Sequence, residues 1–294
     1  MDLRVLNYFL TVAQEKTISK AAEVLHLSQP TLSKQLKDLE EELGVQLFIR
    51  GNREISLTED GVYLQNRGKE ILALVDTTTA NLKKNEVIGG DILIGGGESQ
   101  AFQVLATVLN DLMKTYPDIN VHLYSGNADD VKNKIDKGLL DFGLVIDPVE
   151  KQKYEYISLP VSDCWGILVN NHHELAKKTA VTPQDLKNQA LLISSQTLVN
   201  NQLSDWLGES LSNFHVVGSY NLLYNASLLV KEGTSLAFCI DGIINTNNSG
   251  LTFVPLSPAL TSKIRLIWKK KQIFSNAASL FLKQLIQLTE GQSR

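Results

Sequence analysis

SQPTLSKQ, residues 28–35, is a polar octet set between two segments of apolar patterning. Ser28, Gln29, Thr31, Ser33, Lys34 and Gln35 all carry hydrogen-bonding side chains, and Pro30 sits among them. Upstream, Leu3, Leu6, Phe9, Leu10 and Ala13 recur at helical spacing, which predicts an amphipathic helix over 3–14. Thr17 is a good N-cap for a second helix, ISKAAEVL, with Ile18, Ala21, Ala22 and Leu25 on its buried stripe. HLS at 26–28 makes a short connection. Ser28 then caps a third helix, and Pro30 is tolerated in its first turn because the early N–H groups have no intrahelical partner. Leu32, Leu36, Leu39 and Leu43 line one face of it, and Gly44 ends it. Downstream, VQLFIR and EISL read as two short strands joined by a turn at Gly51-Asn52-Arg53.

Two helices joined by a tight connection, the second opening on polar side chains, make a helix-turn-helix, whose second helix enters the DNA major groove. Gln suits adenine, hydroxyls suit bases or phosphates, and the free N–H groups of the helix end favour a phosphate oxygen. The octet is then polar because it faces DNA, while Leu32 and Leu36 face inward. A well-capped surface helix accounts for the same residues. The hairpin favours the DNA reading, because Arg50 and Arg53 flank its turn, where a wing reaches the adjacent backbone or minor groove. The acidic run Glu40-Glu41-Glu42 reads as a solvated face away from the DNA.

The 294 residues, 43% hydrophobic, are enough for two or more domains with sizeable cores. A charged fraction of 20% does not suggest disorder, and a net charge of −4 makes any nucleic-acid claim rest on a local patch. The N-terminus lacks a basic n-region and no stretch is long and apolar enough to span a bilayer, so the expectation is a soluble cytoplasmic protein. Cys164 and Cys239 fit no metal spacing and read as small buried hydrophobes in a reducing compartment, with a thiol sensor as the alternative. The five histidines show no metal-site spacing, and no nucleophile, base and acid arrangement stands out, so no metal, cofactor or enzymatic activity is expected.

Thr58 caps a further helix in which Leu64, Gly68, Ile71, Val75, Thr78 and Leu82 follow the three-four spacing of a coiled-coil seam, weakened by Gly68 and Thr78. Gly89-Gly90 breaks it, and from Asp91 the pattern changes. DILIGGG, a helix over 99–115, INVHLY, a helix over 128–138 and FGLVI read as β-α-β-α-β, the signature of a parallel α/β layer. CWGILVN, the capped helix TPQDLKN, ALLIS, SLAFCI, IRLIWKK and a final helix from Ser275 extend the alternation.

The stretch AAEVLHLSQPTLSKQLKDLEEELGVQLFIRGNREISLTEDG resembles the N-terminal domain of LysR-type transcriptional regulators. The resemblance rests on Ala21-Ala22, Leu25, Ser28-Gln29-Pro30, Ser33, Leu39-Glu40, Leu43-Gly44, Leu47-Phe48, Arg50, Arg53, Leu57-Thr58 and Gly61. Lys34 stands where the family commonly has Arg and lacks the bidentate fork. YPDINVHL, GLLDFGLVI, VTPQDL and LLVKEGTSLAFCI follow in the family's order, less sharply. The resemblance implies an α/β protein with an N-terminal all-α winged helix-turn-helix over 1–58 and a long dimerising linker helix over 59–88. It also implies a two-lobed, periplasmic-binding-protein-like effector domain over 89–294, with lobe I at 89–160 and 266–294 and lobe II at 161–265. Double-stranded promoter DNA, a small-molecule inducer, further copies in a homotetramer built as a dimer of dimers, and RNA polymerase are the implied partners.

Ligands of two-lobed α/β domains bind outside the C-terminal strand ends. The strand DILI runs into Gly95-Gly96-Gly97-Glu98-Ser99-Gln100, where close backbone approach and a helix start are expected. Ser99 matches the family's effector-touching Ser or Thr. A tight turn with Ser99 as an unliganded cap is the plainer reading, and a nucleotide loop is disfavoured because no Lys-Ser/Thr follows the glycines. Glu98 would repel a carboxylate inducer if it pointed inward, and Arg265 and Arg294 are the only arginines in this half. The second lobe contributes, by resemblance, Ser194-Ser195-Gln196 and, more weakly, Leu222 to Asn225, Gly233 and Phe238. Leu144, Val145 and Ile146 are expected to form a hinge-side wall, and Asn127 to face either the cleft or a loop. A sequence-specific DNA-binding regulator responsive to a small molecule is the leading reading. A cytoplasmic solute-binding module and an α/β enzyme with a helical extension are its rivals.

Overall fold

The computed structural model describes residues 1–51, 54–82, 88–195 and 203–291, and the chain divides into two compact units, Met1–Lys83 and Lys84–Arg294. In the first, α1 (Leu3–Glu15) starts at Asp2, whose carboxylate accepts from the Arg4 N–H at 2.7 Å. Thr17 caps α2 (Ile18–Val24), and Ser28 caps α3 (Gln29–Leu43) by accepting from the Thr31 N–H at 3.3 Å. Gly44 closes α3 at φ 72°, a left-handed conformation that glycine adopts without strain. Leu6, Phe9, Val12, Ala21, Ala22, Leu32, Leu36, Leu39, Leu47 and Phe48 form one core. Leu3 and Leu43, expected on the inner faces, are exposed because each lies a turn beyond the last core contact of its helix.

β1 (Phe48–Arg50) and β2 (Ile55–Leu57) pair antiparallel, with Arg50 opposite Ile55. Asn52, Arg53 and the Arg50 side chain lie outside the described residues. The acidic run is not a uniform solvated face. Glu40 is half-buried, and its Oε1 accepts from the Leu47 and Phe48 N–H groups at 2.7 and 3.1 Å, tying α3 to β1. Glu41 pairs with Lys37 at 3.2 Å, and Glu42 pairs with the N-terminal ammonium. Thr58 accepts from the Gly61 N–H at 3.0 Å and opens α4 (Glu59–Leu82). Leu64 and Ile71 pack on the unit's own core, and a Cβ at Gly68 would stand 2.9 Å from Leu6 Cδ1. The first half of the expected seam therefore serves the packing of α4 within its unit, and Gly68 is the point of close approach rather than a defect.

The second unit is built on a nine-stranded sheet in the order β4-β3-β5-β11-β6-β9-β7-β8, with β10 also paired to β6. Its strands are β3 (Gly90–Gly96), β4 (Ile119–Ser125), β5 (Phe142–Ile146), β6 (Tyr154–Asn170), β7 (Leu191–Ser194), β8 (Val216–Tyr220), β9 (Leu236–Ile240), β10 (Leu251–Pro255) and β11 (Thr261–Lys269). β3 pairs parallel to β4 and β5, and β7 pairs parallel to β8 and β9. Helices α5 (Phe102–Thr115), α6 (Ala128–Asp136), the short α7 (Pro183–Leu186), α8 (Leu223–Lys231) and α9 (Asn276–Gly291) belong to it, with a further helical stretch over 203–207.

Four buried clusters lie along this sheet, a larger and a smaller one in each lobe, and the two larger ones are its main cores. One gathers Ile92, Ile94, Leu105, Leu109, Phe142, Leu266 and Phe281 beneath α5 and α9. The other gathers Trp165, Ile167, Leu191, Leu203, Phe238 and Val254. Two strands cross between them. The 17-residue β6 places Leu159 in the first core and Trp165 in the second, and the return path runs from Leu260, against the second, to Ile264 in the first. The sheet is thus continuous in hydrogen bonding while its packing is two-lobed.

Candidate functional site

The octet forms the first turns of α3. Ser28, Gln29, Pro30, Thr31 and Lys34 are exposed, Ser33 and Gln35 are half-buried, and Leu32 and Leu36 are buried. The Ser28 and Thr31 hydroxyls also bond to each other at 2.7 Å. One helix end therefore presents hydroxyl, amide and ammonium groups to the outside while its leucines hold it to the core, which suits reading of a polar surface.

In the second unit a cleft opens where β3, β5, β7 and β8 end, as expected for a sheet of this kind. Its space, open mouth included, is about 640 Å³. Gly97, Glu98, Ser99, Val145, Ser194 and Leu222 line it, with Leu144 and Ile146 beside Val145. Other expected residues do not. Gln100 donates to the Gly242 carbonyl at 2.8 Å, and Asn127 caps α6 by accepting from the Asp130 N–H at 2.9 Å. Ser195 is exposed, its N–H donating to the Tyr220 carbonyl at 2.8 Å, and Gln196 lies outside the described residues. The helix expected from Ser99 begins at Phe102, since the Ser99 hydroxyl takes the Ala101 N–H at 2.9 Å.

The glycine turn is tied across the cleft by three successive side chains. Glu98 Oε2 accepts from the Leu223 N–H, at the start of α8, at 2.7 Å. The Ser99 hydroxyl donates to Asp163 Oδ1 at 2.9 Å, and Gln100 reaches Gly242. Asp163, with Trp165, Tyr220, Asn221 and Ile240, belongs to the wall without having been singled out in the sequence. A lone carboxylate within the apolar run VSDCWGILV was the available signal. Asp163 is 4% exposed, and its Oδ2 has no hydrogen-bond partner among the described residues. Burial pushes its carboxyl above the usual range, and the Ser99 hydroxyl partly offsets this. Trp165 donates to Ser262 Oγ at 2.8 Å and stacks on Phe238 at 5.4 Å. Tyr220 donates to the Phe238 carbonyl at 2.6 Å, and burial raises its phenol pKa. Arg265 is committed to Asp147 at 3.0 Å and to Ser158, and lies over the Tyr156 ring.

Among the described residues no three His, Cys, Asp or Glu side chains gather as a metal site, and no helix is long and apolar enough to cross a membrane. A helix-turn-helix unit with a hairpin wing, and a two-lobed α/β unit with a cleft at its strand ends, define a DNA-binding regulator with a small-molecule-binding domain. The chain belongs to the LysR family of transcriptional regulators: residues 85–290 match the LysR substrate binding domain, and residues 3–62 match the bacterial regulatory helix-turn-helix protein, lysR family. It is 29% identical over 282 residues to the Hca operon transcriptional activator HcaR of Escherichia coli, covering 93% of each chain. It is 27% identical to the regulator YtlI of Bacillus subtilis, covering 95% of this chain and 91% of that one. Its fold matches that of full-length CbnR crystallised with its target DNA, at 18% identity and a TM-score of 0.75 over 98% of this chain and 99% of that chain.

Proposed function

We propose that α3 is the helix that reads the major groove, through Ser28, Gln29, Pro30, Thr31, Ser33, Lys34 and Gln35, and that Arg50 and Arg53 contact the flanking backbone from the wing. The observation that carries this is the partition of α3, with Ser28, Gln29, Pro30, Thr31 and Lys34 exposed, Ser33 and Gln35 half-buried, and Leu32, Leu36 and Leu39 buried. The cleft between the lobes is the effector site, with Gly97, Glu98, Ser99, Val145, Ser194 and Leu222 in its wall. The protein acts in the cytoplasm, as a homotetramer that communicates with RNA polymerase, and turns over no substrate and needs no cofactor. Effector binding shifts the balance between two arrangements of the assembly, which requires different affinity for each.

Selection of bound fragments from the source genome, read by salt-dependent binding, tests this. The control carries Ser33→Ala, Arg50→Ala and Arg53→Ala. Tight, sequence-selective binding by the parent alone is expected, with affinity falling as salt rises. Absent binding, or equal binding by both proteins at low salt, refutes it.

A further inference from the structure

We infer that the cleft takes a compact ligand with an apolar body and a cationic, N–H-donating head, an alkyl- or arylalkylammonium, and not a carboxylate. This rests on the cleft being the effector site and goes further, to what it recognises. The charged groups in its described wall are both carboxylates, Glu98 and Asp163, with no Lys, Arg or His among the lining residues.

Asp163 is the acceptor to complete. Ser99 holds Oδ1, while Oδ2, on a residue that lines the cleft, meets no donor among the described residues. A buried carboxylate oxygen left in that state is unfavourable, and an ammonium N–H entering from the cleft relieves it with a charge-assisted bond. Three candidate donors for an anion are already engaged. The Leu223 N–H at the start of α8 is bonded to Glu98, and the Ala101 N–H is bonded to Ser99. The Arg265 guanidinium is held by Asp147. Leu144, Val145, Ile146, Trp165, Ile240 and Ile264 give the wall a broad apolar stretch beside the polar Ser194 and Asn221, matched to a hydrocarbon or aromatic body.

The test is calorimetric titration of the full chain with matched probes that differ in head group: 2-phenylethylamine, 3-phenylpropionate and 2-phenylethanol, with shorter and longer homologues of each. The amines are expected to bind about tenfold or more tighter than the acids and alcohols, and to lose that margin in Asp163→Asn. Asn keeps the side chain's shape and an acceptor for Ser99, and near-ultraviolet circular dichroism confirms its fold. Glu98→Gln, which retains an acceptor for the Leu223 N–H, gives a second variant with a smaller expected loss. Preference for the acids overturns the inference and leaves the cleft standing as a sensor. Equal amine binding by parent and Asp163→Asn overturns it too. Failure of every head group to bind removes both the inference and the effector-site reading, while the DNA-binding reading is decided separately by fragment selection.

Discussion

Asp141 sits 7% exposed where the chain enters β5, in reciprocal bonds with Leu93 on β3. Its N–H donates to the Leu93 carbonyl at 2.8 Å, and its Oδ2 accepts from the Leu93 N–H at 2.9 Å. Burial raises its carboxyl from 3.8 to about 6; the Leu93 N–H opposes this, and the charge of Asp91 adds to it. The folded state therefore binds the proton more tightly than the unfolded state does. Stability then falls as pH rises from about 4 to about 6, the reverse of the usual salt-bridged carboxylate. A shift of about two units corresponds to ~3 kcal/mol between fully protonated and fully ionised forms, at about 1.4 kcal/mol per unit. Asp141→Asn keeps an acceptor for the Leu93 N–H and cannot ionise, so its stability lacks this component. The stability of the parent minus that of the variant is expected to fall by roughly 2–3 kcal/mol between pH 4 and pH 8. Urea unfolding followed by tryptophan fluorescence reads it cleanly, because Trp165, Trp206 and Trp268 all lie in the unit that contains Asp141. A difference that stays flat over this range, or rises with pH, refutes the reasoning.

Four further outcomes follow from particular contacts. Ser28→Ala removes the α3 cap and is expected to cost roughly 1 kcal/mol, seen as a lower far-ultraviolet melting point and weaker DNA binding by fluorescence anisotropy. Glu40→Ala leaves the Leu47 and Phe48 N–H groups without their acceptor and costs roughly 1–3 kcal/mol in chemical denaturation of the first unit, while Glu40→Gln recovers most of it. Gly166→Ala places a Cβ 2.5 Å from the Val254 carbonyl oxygen and 2.3 Å from Phe253 Cζ, so it destabilises the second unit by roughly 1–3 kcal/mol in the tryptophan-detected transition. Native alkylation followed by mass spectrometry is expected to label Cys164, which is exposed, and to spare Cys239, whose thiol is buried and held far from ionisation by burial and by the charge of Asp241.

The sequence reading succeeded where the determinants are local. Thr17, Ser28 and Gly44 bracket their helices through contacts within three or four residues, so composition and spacing carry them. Gly97, Glu98 and Ser99 were legible because a glycine turn at a strand end marks where a cleft can open. Glu40 was not, because its partners arrive seven and eight residues later, through a strand that the acidic run does not announce. Gln100 and Asn127 were polar and well placed, yet the chain's own backbone had the stronger claim on them. Asp163, Trp165 and Tyr220 depend on a longer range still. In a 17-residue strand every second side chain shares a face, and pairing decides which of them meets the cleft. β6 runs against β11 up to Cys164 and against β9 from Trp165 to Leu168, so Asp163 and Trp165 fall where it passes from one lobe to the other. The site is therefore a property of the crossing between the two cores. A carboxylate held there against its desolvation, with one oxygen bonded to the glycine turn, joins the strand that links the lobes to the wall that would sense a ligand.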